Sequence, residues 1–336
     1  MDVEESAKDL IRALRGNRSQ TAFSRRLGYR TNVVYTWEAG RRWPSASETL
    51  RAAARAGVDL PAAFGRFYRT PPPWLAGEDL VAPAFVARFL RDQQGDTPTS
   101  AIAARAGINR FSVARWLAGA AEPRLPDFLR MVEATSLRLL DLLAALADPA
   151  RLPSVRDAWA RREAQRTLAI EAPWAMAVLR LLEVEPARPA TVASRLRLDP
   201  AEVERCLYAL HRAGLVARRR GTWRPVAMEA LDTRRSPETA RKLKGFWARV
   251  GLDRLDAGAD GRFAYNLVSV SHDQYRRLQE LHDGYFQAVR ALVAEDAPPE
   301  CVALLNLQLV RLDEASPARQ LDPALAPRAP TPGFEP

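Results

Sequence analysis

The sequence predicts a mainly α protein, and three observations carry that expectation. Along almost all of the 336 residues, apolar side chains recur at spacings of three and four, the period of a helix with one buried face, and alternating runs are few. Breakers divide the chain into short segments, at "TPPPW" (70–74) and at "DPARLP" (148–153). Part of the N-terminal half also repeats after 79 positions without a gap.

Length and composition narrow the class further. A chain of 336 residues is expected to hold two or three domains, because single cores stop growing well below that size. No run of 18 apolar residues exists, and the one near 137–147 is broken by Arg138 and Asp141, so no membrane span is expected. The first residues lack the basic-then-apolar pattern of a secretory signal. These features together predict a cytoplasmic protein. Cys206 and Cys301 form no disulfide framework, and with His211, His272 and His282 they make no metal-ligand spacing. No metal and no cofactor is expected. The net charge of +10 favours a polyanionic partner. Arginine dominates it, since Lys8, Lys242 and Lys244 are the only lysines among 50 basic residues, a bias that a GC-rich genome produces without any nucleic acid.

The repeat lies between "GYRTNVVYTWEAGRRWPS" from Gly28 and "GINRFSVARWLAGAAEPR" from Gly107. Gly28 falls on Gly107, Val34 on Val113, Trp37 on Trp116, Gly40 on Gly119 and Pro44 on Pro123, while Leu10 and Ile11 fall on Phe89 and Leu90. Two copies of one helical module are therefore expected in the N-terminal half.

Within the first copy, "SQTAFSRRLGYRTNVVYTWEAGRRWPS" (19–45) reads as helix, tight turn, helix. Ser19 is an N-cap, and Ala22, Phe23 and Leu27 are expected to face inward. Gly28 ends that helix, Thr31 opens the next, Val34 and Trp37 are core, and Ser45 caps a further helix after Pro44. Two short helices joined by a Gly turn make a helix-turn-helix. The run resembles the lambda-repressor/Cro (XRE-type) DNA-binding domain over residues 6–64, on Ser19-Gln20, Gly28, Glu38-Ala39-Gly40 and Pro44-Ser45. That resemblance implies that Gln20 holds a phosphate and that Thr31, Asn32 and Thr36 face base edges in the major groove of double-stranded DNA. Arg30, Arg41 and Arg42 flank that helix as phosphate neutralisers. Asn reads adenine with two hydrogen bonds, which puts most of the expected preference on Asn32. Glu38 is expected to order the following loop.

In the second copy Leu117 replaces Glu38, Thr99 replaces Gln20 and Ala120-Ala121 replace the arginine pair. Asn109, Arg110 and Arg115 remain as additional DNA contacts, and the copy is either a second reader or one kept for packing or dimerisation.

The C-terminal half has a different layout. In "PATVASRLRLDPAEVERCLYALHRAGLVARRRGTWRPV" (189–226), Asp199-Pro200 starts a helix whose Val203, Cys206, Leu207 and Leu210 form a buried stripe. "LVARRR" and "TWRPV" then flank Gly221 as a hairpin, so the segment reads as a winged helix with its first helix over 174–182. Arg218, Arg219 and Arg220 are placed to meet phosphate, whereas Asp199, Glu202 and Glu204 would repel it, which favours a scaffold or partner-binding role. Beyond it come a basic helix over 236–250, a strand "FAYNLVSVS" (263–271), a long amphipathic helix over 273–294 and a strand "CVALLNLQLVRL" (301–312), an α+β unit. Residues 159–313 resemble a bacterial domain family of unknown function that sits in transcriptional regulators, on "ALHRAGLVARRRGTWRPV", "FWARVGL", "LVSVSHDQYRRLQEL" and "LLNLQLVRL". Val310-Arg311-Leu312 departs from the apolar-Pro-Leu ending common there.

The expected organisation is thus a lambda-repressor-like module over 1–68, a linker over 69–83, a second, degenerate module over 84–148, a helix plus winged helix over 154–228, an α+β unit over 229–314 and a disordered Pro-rich tail over 315–336. No phosphate loop, nucleophile elbow or paired-His motif is found, and His272-Asp273 and His282-Asp283 suit surface or capping roles. The expected function is a non-enzymatic, sequence-specific transcriptional regulator on DNA, a homodimer whose C-terminal half pairs or senses an effector. The rival is an adaptor, antitoxin-like or a sigma-factor partner, whose modules bind protein.

Overall fold

The computed structural model describes residues 2–68, 71–226, 237–293 and 298–313. Among them the chain is mainly helical, with a single two-stranded sheet. The N-terminal half holds α1 (Val3–Arg15), α2 (Gln20–Arg26), α3 (Val33–Glu38), α4 (Ala46–Ala56), α5 (Leu60–Phe67), α6 (Pro83–Gln94), α7 (Thr99–Ala106), α8 (Arg110–Leu117), α9 (Leu125–Ser136) and α10 (Leu139–Leu146). The C-terminal half holds α11 (Arg156–Glu171), α12 (Pro173–Val184), α13 (Pro189–Leu196), α14 (Pro200–Arg212), the strands β1 (Val216–Arg219) and β2 (Thr222–Pro225), then α15 (Pro237–Asp256) and α16 (His272–Val293).

Local chemistry sets the helix starts. Asp2 accepts from the amides of Glu4 and Glu5, Ser19 from Ala22 and Asp59 from Ala62, each satisfying donors that a first turn leaves unpaired. Ser45 and Glu48 form a reciprocal capping box at α4.

One continuous core runs from Ala7 to Val155 and draws on all ten N-terminal helices. Phe64 of α5 meets Phe85 and Phe89 of α6 edge-on, with ring centroids 4.8 and 5.3 Å apart, so the two halves of this region share their aromatic centre. Each such phenyl ring, fully buried, contributes about 1.5–3 kcal/mol. Residues 71–83, expected as a linker, pack on that core: Trp74 donates its Nε1 hydrogen to Asp92 (3.3 Å) and Leu80 is buried.

A second core runs from Ala169 to Trp223 and is built by α11, α12, α13, α14 and the hairpin. β1 and β2 pair antiparallel, Val216 with Pro225 and Arg219 with Thr222. Arg220 and Gly221 turn the hairpin at φ 50° and 82°, the left-handed pair that matches strand twist in a two-residue loop.

The α+β expectation for the C-terminal unit is corrected. The stretches 263–271 and 301–312 belong to no strand among the described residues, and β1–β2 is the only sheet there. Alternating apolar residues suit a strand, but a strand also needs a neighbour for its backbone groups. The second stretch is held instead by side chains: Asn306 donates to the Trp247 carbonyl (2.9 Å), and Arg311 lies over the Tyr275 ring. The tail expected over 315–336 falls outside the described residues.

Candidate nucleic-acid interface

The α2–α3 pair is fastened by buried polar contacts. Phe23, Val34 and Trp37 are buried in the first core, whereas Ala22, expected inward, is exposed. Ser24, buried, accepts from the amide of Val34 (3.1 Å) and donates to Asn32 Oδ1 (3.2 Å). Glu38 reaches back rather than forward. Its buried carboxylate accepts from Arg15 Nε (2.6 Å) and Gln20 Nε2 (2.7 Å), tying α1, α2 and α3 together. Gly40 follows at φ 68° against the Lys8 side chain, a conformation that disfavours any residue with a Cβ.

Tyr29 joins this pair to α4. Its hydroxyl donates to Glu48 Oε1 (2.7 Å), and its ring meets Trp37 edge-on at 5.7 Å. Burial, reinforced by the neighbouring carboxylate, pushes the Tyr29 hydroxyl up to about 12. Glu48 is drawn the other way: burial opposes its charge, but the Ser45 amide, the Tyr29 hydroxyl, Arg124 and Arg42 outweigh it and hold the carboxyl below its ordinary range.

The expected contact residues divide into two groups. Arg30, Thr31, Asn32, Arg41 and Arg42 are exposed around α3. Gln20 is instead held by Glu38, and the Thr36 hydroxyl donates to the Val33 carbonyl (2.7 Å), so neither presents the free group expected of it. The helix begins at Val33 rather than Thr31, because Asn32 is its N-cap and accepts from the Tyr35 amide (3.3 Å). With Oδ1 used inside the fold, Asn32 offers outward its Nδ2 donors alone.

Tyr35 was not singled out as a contact. It is 45% exposed, and the Arg41 guanidinium lies 5.4 Å from its ring centroid. The signal was present: at 100° per residue, Tyr35 falls away from the stripe of Val34, Trp37 and Glu38. Phe111 on α8 was missed likewise. It is 71% exposed, faces away from the buried Val113 and Leu117, and has Arg110 stacked 5.5 Å from its ring centroid. Asn109 caps α8 by accepting from the Phe111 amide (2.8 Å), and Arg110 and Arg115 are exposed.

In the C-terminal half, Arg219 and Arg220 are exposed at the hairpin turn, and Arg218 lies over Trp223. Asp199 caps α14, while Glu202 is paired with Arg205. An open cleft of about 840 Å³ lies between α13, the start of α14 and the hairpin, with Arg188, Arg218 and Glu204 in its lining. Burial pushes the Cys206 thiol up to about 12, and the adjacent Glu202 adds to the shift, which makes it an inert core group.

A domain of unknown function, DUF4423, is found at residues 161–312. This is the stretch whose sequence resembled a domain family of unknown function. No curated protein matches the chain, and no solved structure matches it. No helix among the described residues is long and apolar enough to cross a membrane.

Proposed function

We propose that the protein is a sequence-specific DNA-binding regulator in which α2 and α3 act as a lambda-repressor-like helix-turn-helix. One observation carries the reading: the short helix α3 is anchored from below by Glu38, Arg15 and Gln20, while Thr31 and Asn32 just before it and Tyr35 on it stand exposed between Arg30, Arg41 and Arg42. In this reading α3 enters the major groove and the three arginines neutralise phosphates. Asn32, whose Oδ1 serves as the cap, reads through its Nδ2 donors, which suits acceptors such as the N7 atoms of purines, O6 of guanine or O4 of thymine. Tyr35 adds a ring and a hydroxyl at the same edge. The α12–α14 unit with its hairpin is read as a winged helix, and the C-terminal half as the part that pairs two chains in a homodimer or senses an effector in the cytoplasm.

A protein-binding adaptor is the second reading. It is favoured by exposed apolar residues in the C-terminal half, among them Tyr265 at 91% and Leu267 at 78%.

The test is selection from a genomic fragment pool by the wild type and by Asn32→Ser/Tyr35→Ala, a pair that keeps an N-capping oxygen. One motif enriched by the wild type and lost in the variant, with salt-sensitive nonspecific binding retained, supports the regulator. Motif-free recovery by both proteins overturns it in favour of the adaptor.

A further inference from the structure

The N-terminal half pairs with itself across a pseudo-two-fold axis. The Ala46 amide donates to the Pro123 carbonyl (3.0 Å), and the Leu125 amide donates to the Pro44 carbonyl (2.9 Å). Each bond is the image of the other, because 79 positions separate Pro44 from Pro123 and Ala46 from Leu125. Between them Ser45 and Arg124, again 79 apart, form an antiparallel bridge. Moving α5 by 79 positions reproduces the bounds of α10, and these two helices pack on one another. Helix α1 packs on α9, and its counterpart α6 packs on α4. Reciprocal contacts of this kind define an isologous interface, the arrangement a symmetric dimer uses between separate chains.

The two copies are welded rather than merely apposed. Glu122 accepts from both the amide and the hydroxyl of Ser47, and Arg124 donates to the Trp43 carbonyl (3.4 Å).

The axis also places both outer helices. α3 ends at Glu38, seven residues before Ser45, and α8 ends at Leu117, seven before Arg124. α3 and α8 therefore hold equivalent positions about the axis, each followed by a loop that meets its counterpart there. The faces they expose differ. α3 offers Asn32 and Tyr35, while α8 offers Arg110, Phe111 and Arg115.

We infer that one chain carries two unlike readers, so that α3 and α8 engage two successive major-groove segments of one duplex whose half-sites differ in sequence. The inference rests on the DNA-binding reading above. The α8 half-site is read by different chemistry, a phenyl ring on the thymine methyl and arginine on O6 and N7 of guanine, where α3 has the Asn32 donors and the Tyr35 ring.

Full-length protein is used to select binding sites from a random duplex library, alongside Asn32→Ser/Tyr35→Ala and the single variant Phe111→Ser, which keeps every basic residue. The expected wild-type site has two dissimilar clusters of specified bases, about 10–10.5 base pairs apart centre to centre. Phe111→Ser relaxes one cluster and the α3 variant the other, each with about a tenfold loss of affinity for the wild-type site. The inference is overturned if Phe111→Ser selects the wild-type motif with unchanged affinity. A palindrome in which both halves relax with the α3 variant overturns it too, while leaving the DNA-binding reading intact. A wild type that selects no motif overturns both.

Discussion

Asp141 of α10 holds three arginines, and removing it tests whether the first core and α11 are joined by a buried ion network. Its carboxylate meets Arg138 Nε at 3.2 Å, Arg162 Nη2 at 3.0 Å and Arg166 Nη2 at 2.9 Å. The Asp141 and Arg162 side chains are only 10% and 4% exposed. Hydrogen bonds to charged groups contribute about 1.5–3 kcal/mol each, and stripping one partner from a buried pair costs about 3–5 kcal/mol. In Asp141→Ala, Arg166 keeps Glu163, and Arg138 still lies 4.1 Å over the Phe67 ring. Arg162 is the group most nearly stranded, since its Nε already has no partner and beyond Asp141 it has the attraction of the Glu133 carboxylate. The expected loss is therefore about 4 kcal/mol, within the range for a single buried pair rather than three times it. Urea unfolding followed by tryptophan fluorescence reads it, with Trp159 beside the Arg166 guanidinium as a local reporter. Adding Arg162→Met to Asp141→Ala removes the stranded charge and should restore part of the loss, a coupling that a double-mutant cycle measures. A single-variant cost under about 1 kcal/mol, the range of exposed pairs, or a double variant no more stable than the single, refutes the reasoning.

Two pH-linked predictions follow from carboxyls shifted in opposite directions. Burial pushes Glu183 above the ordinary carboxylate range, although Arg180 at 2.5 Å pulls it back. A raised carboxyl contributes stability below its unfolded value and loses it as pH rises through its folded one. Glu183→Gln should flatten that decline and leave stability at neutral pH equal or higher, as thermal midpoints at several pH values will read; a loss above about 1 kcal/mol would mean that the ion pair outweighs burial. Glu48 has the opposite sign. Its lowered value means that its contribution is present above the ordinary carboxylate range and disappears as pH falls through the folded value. Tyr29→Phe deletes one of the hydrogen bonds that lower it, so the acid-unfolding transition should move to higher pH. An unmoved transition would show that the Ser45 amide and the arginines suffice.

Sequence by itself determined the local structure. Breakers, caps and apolar spacing place the helices of the N-terminal half, because those forces act within one or two turns of the chain. Gly28, Gly40, Gly107 and Gly119 all take positive φ, as residues that end a helix do. The outward positions of α3 and α8 were legible in part. Arg30, Thr31, Asn32, Arg110 and Arg115 are exposed as expected of polar residues, whereas Tyr35 and Phe111 are apolar enough for either face, and their exposure follows from the helix phase. What only tertiary structure decided was which partner each group finds. Gln20 went to Glu38, and Thr36 to the Val33 carbonyl of its own helix, because a buried carboxylate and a carbonyl one turn back lie closer than any solvent-side ligand. The stretches 263–271 and 301–312 have strand-like patterning and, among the described residues, no strand beside them, since pairing depends on a neighbour that period alone does not supply. The 79-residue repeat was visible as matching residues, but the reciprocal bonds between Pro44–Ala46 and Pro123–Leu125 were not. Identical spacing is compatible with two separate modules or with two packed face to face, and only burial of the phenylalanines of α5 and α6 in one core selects between them.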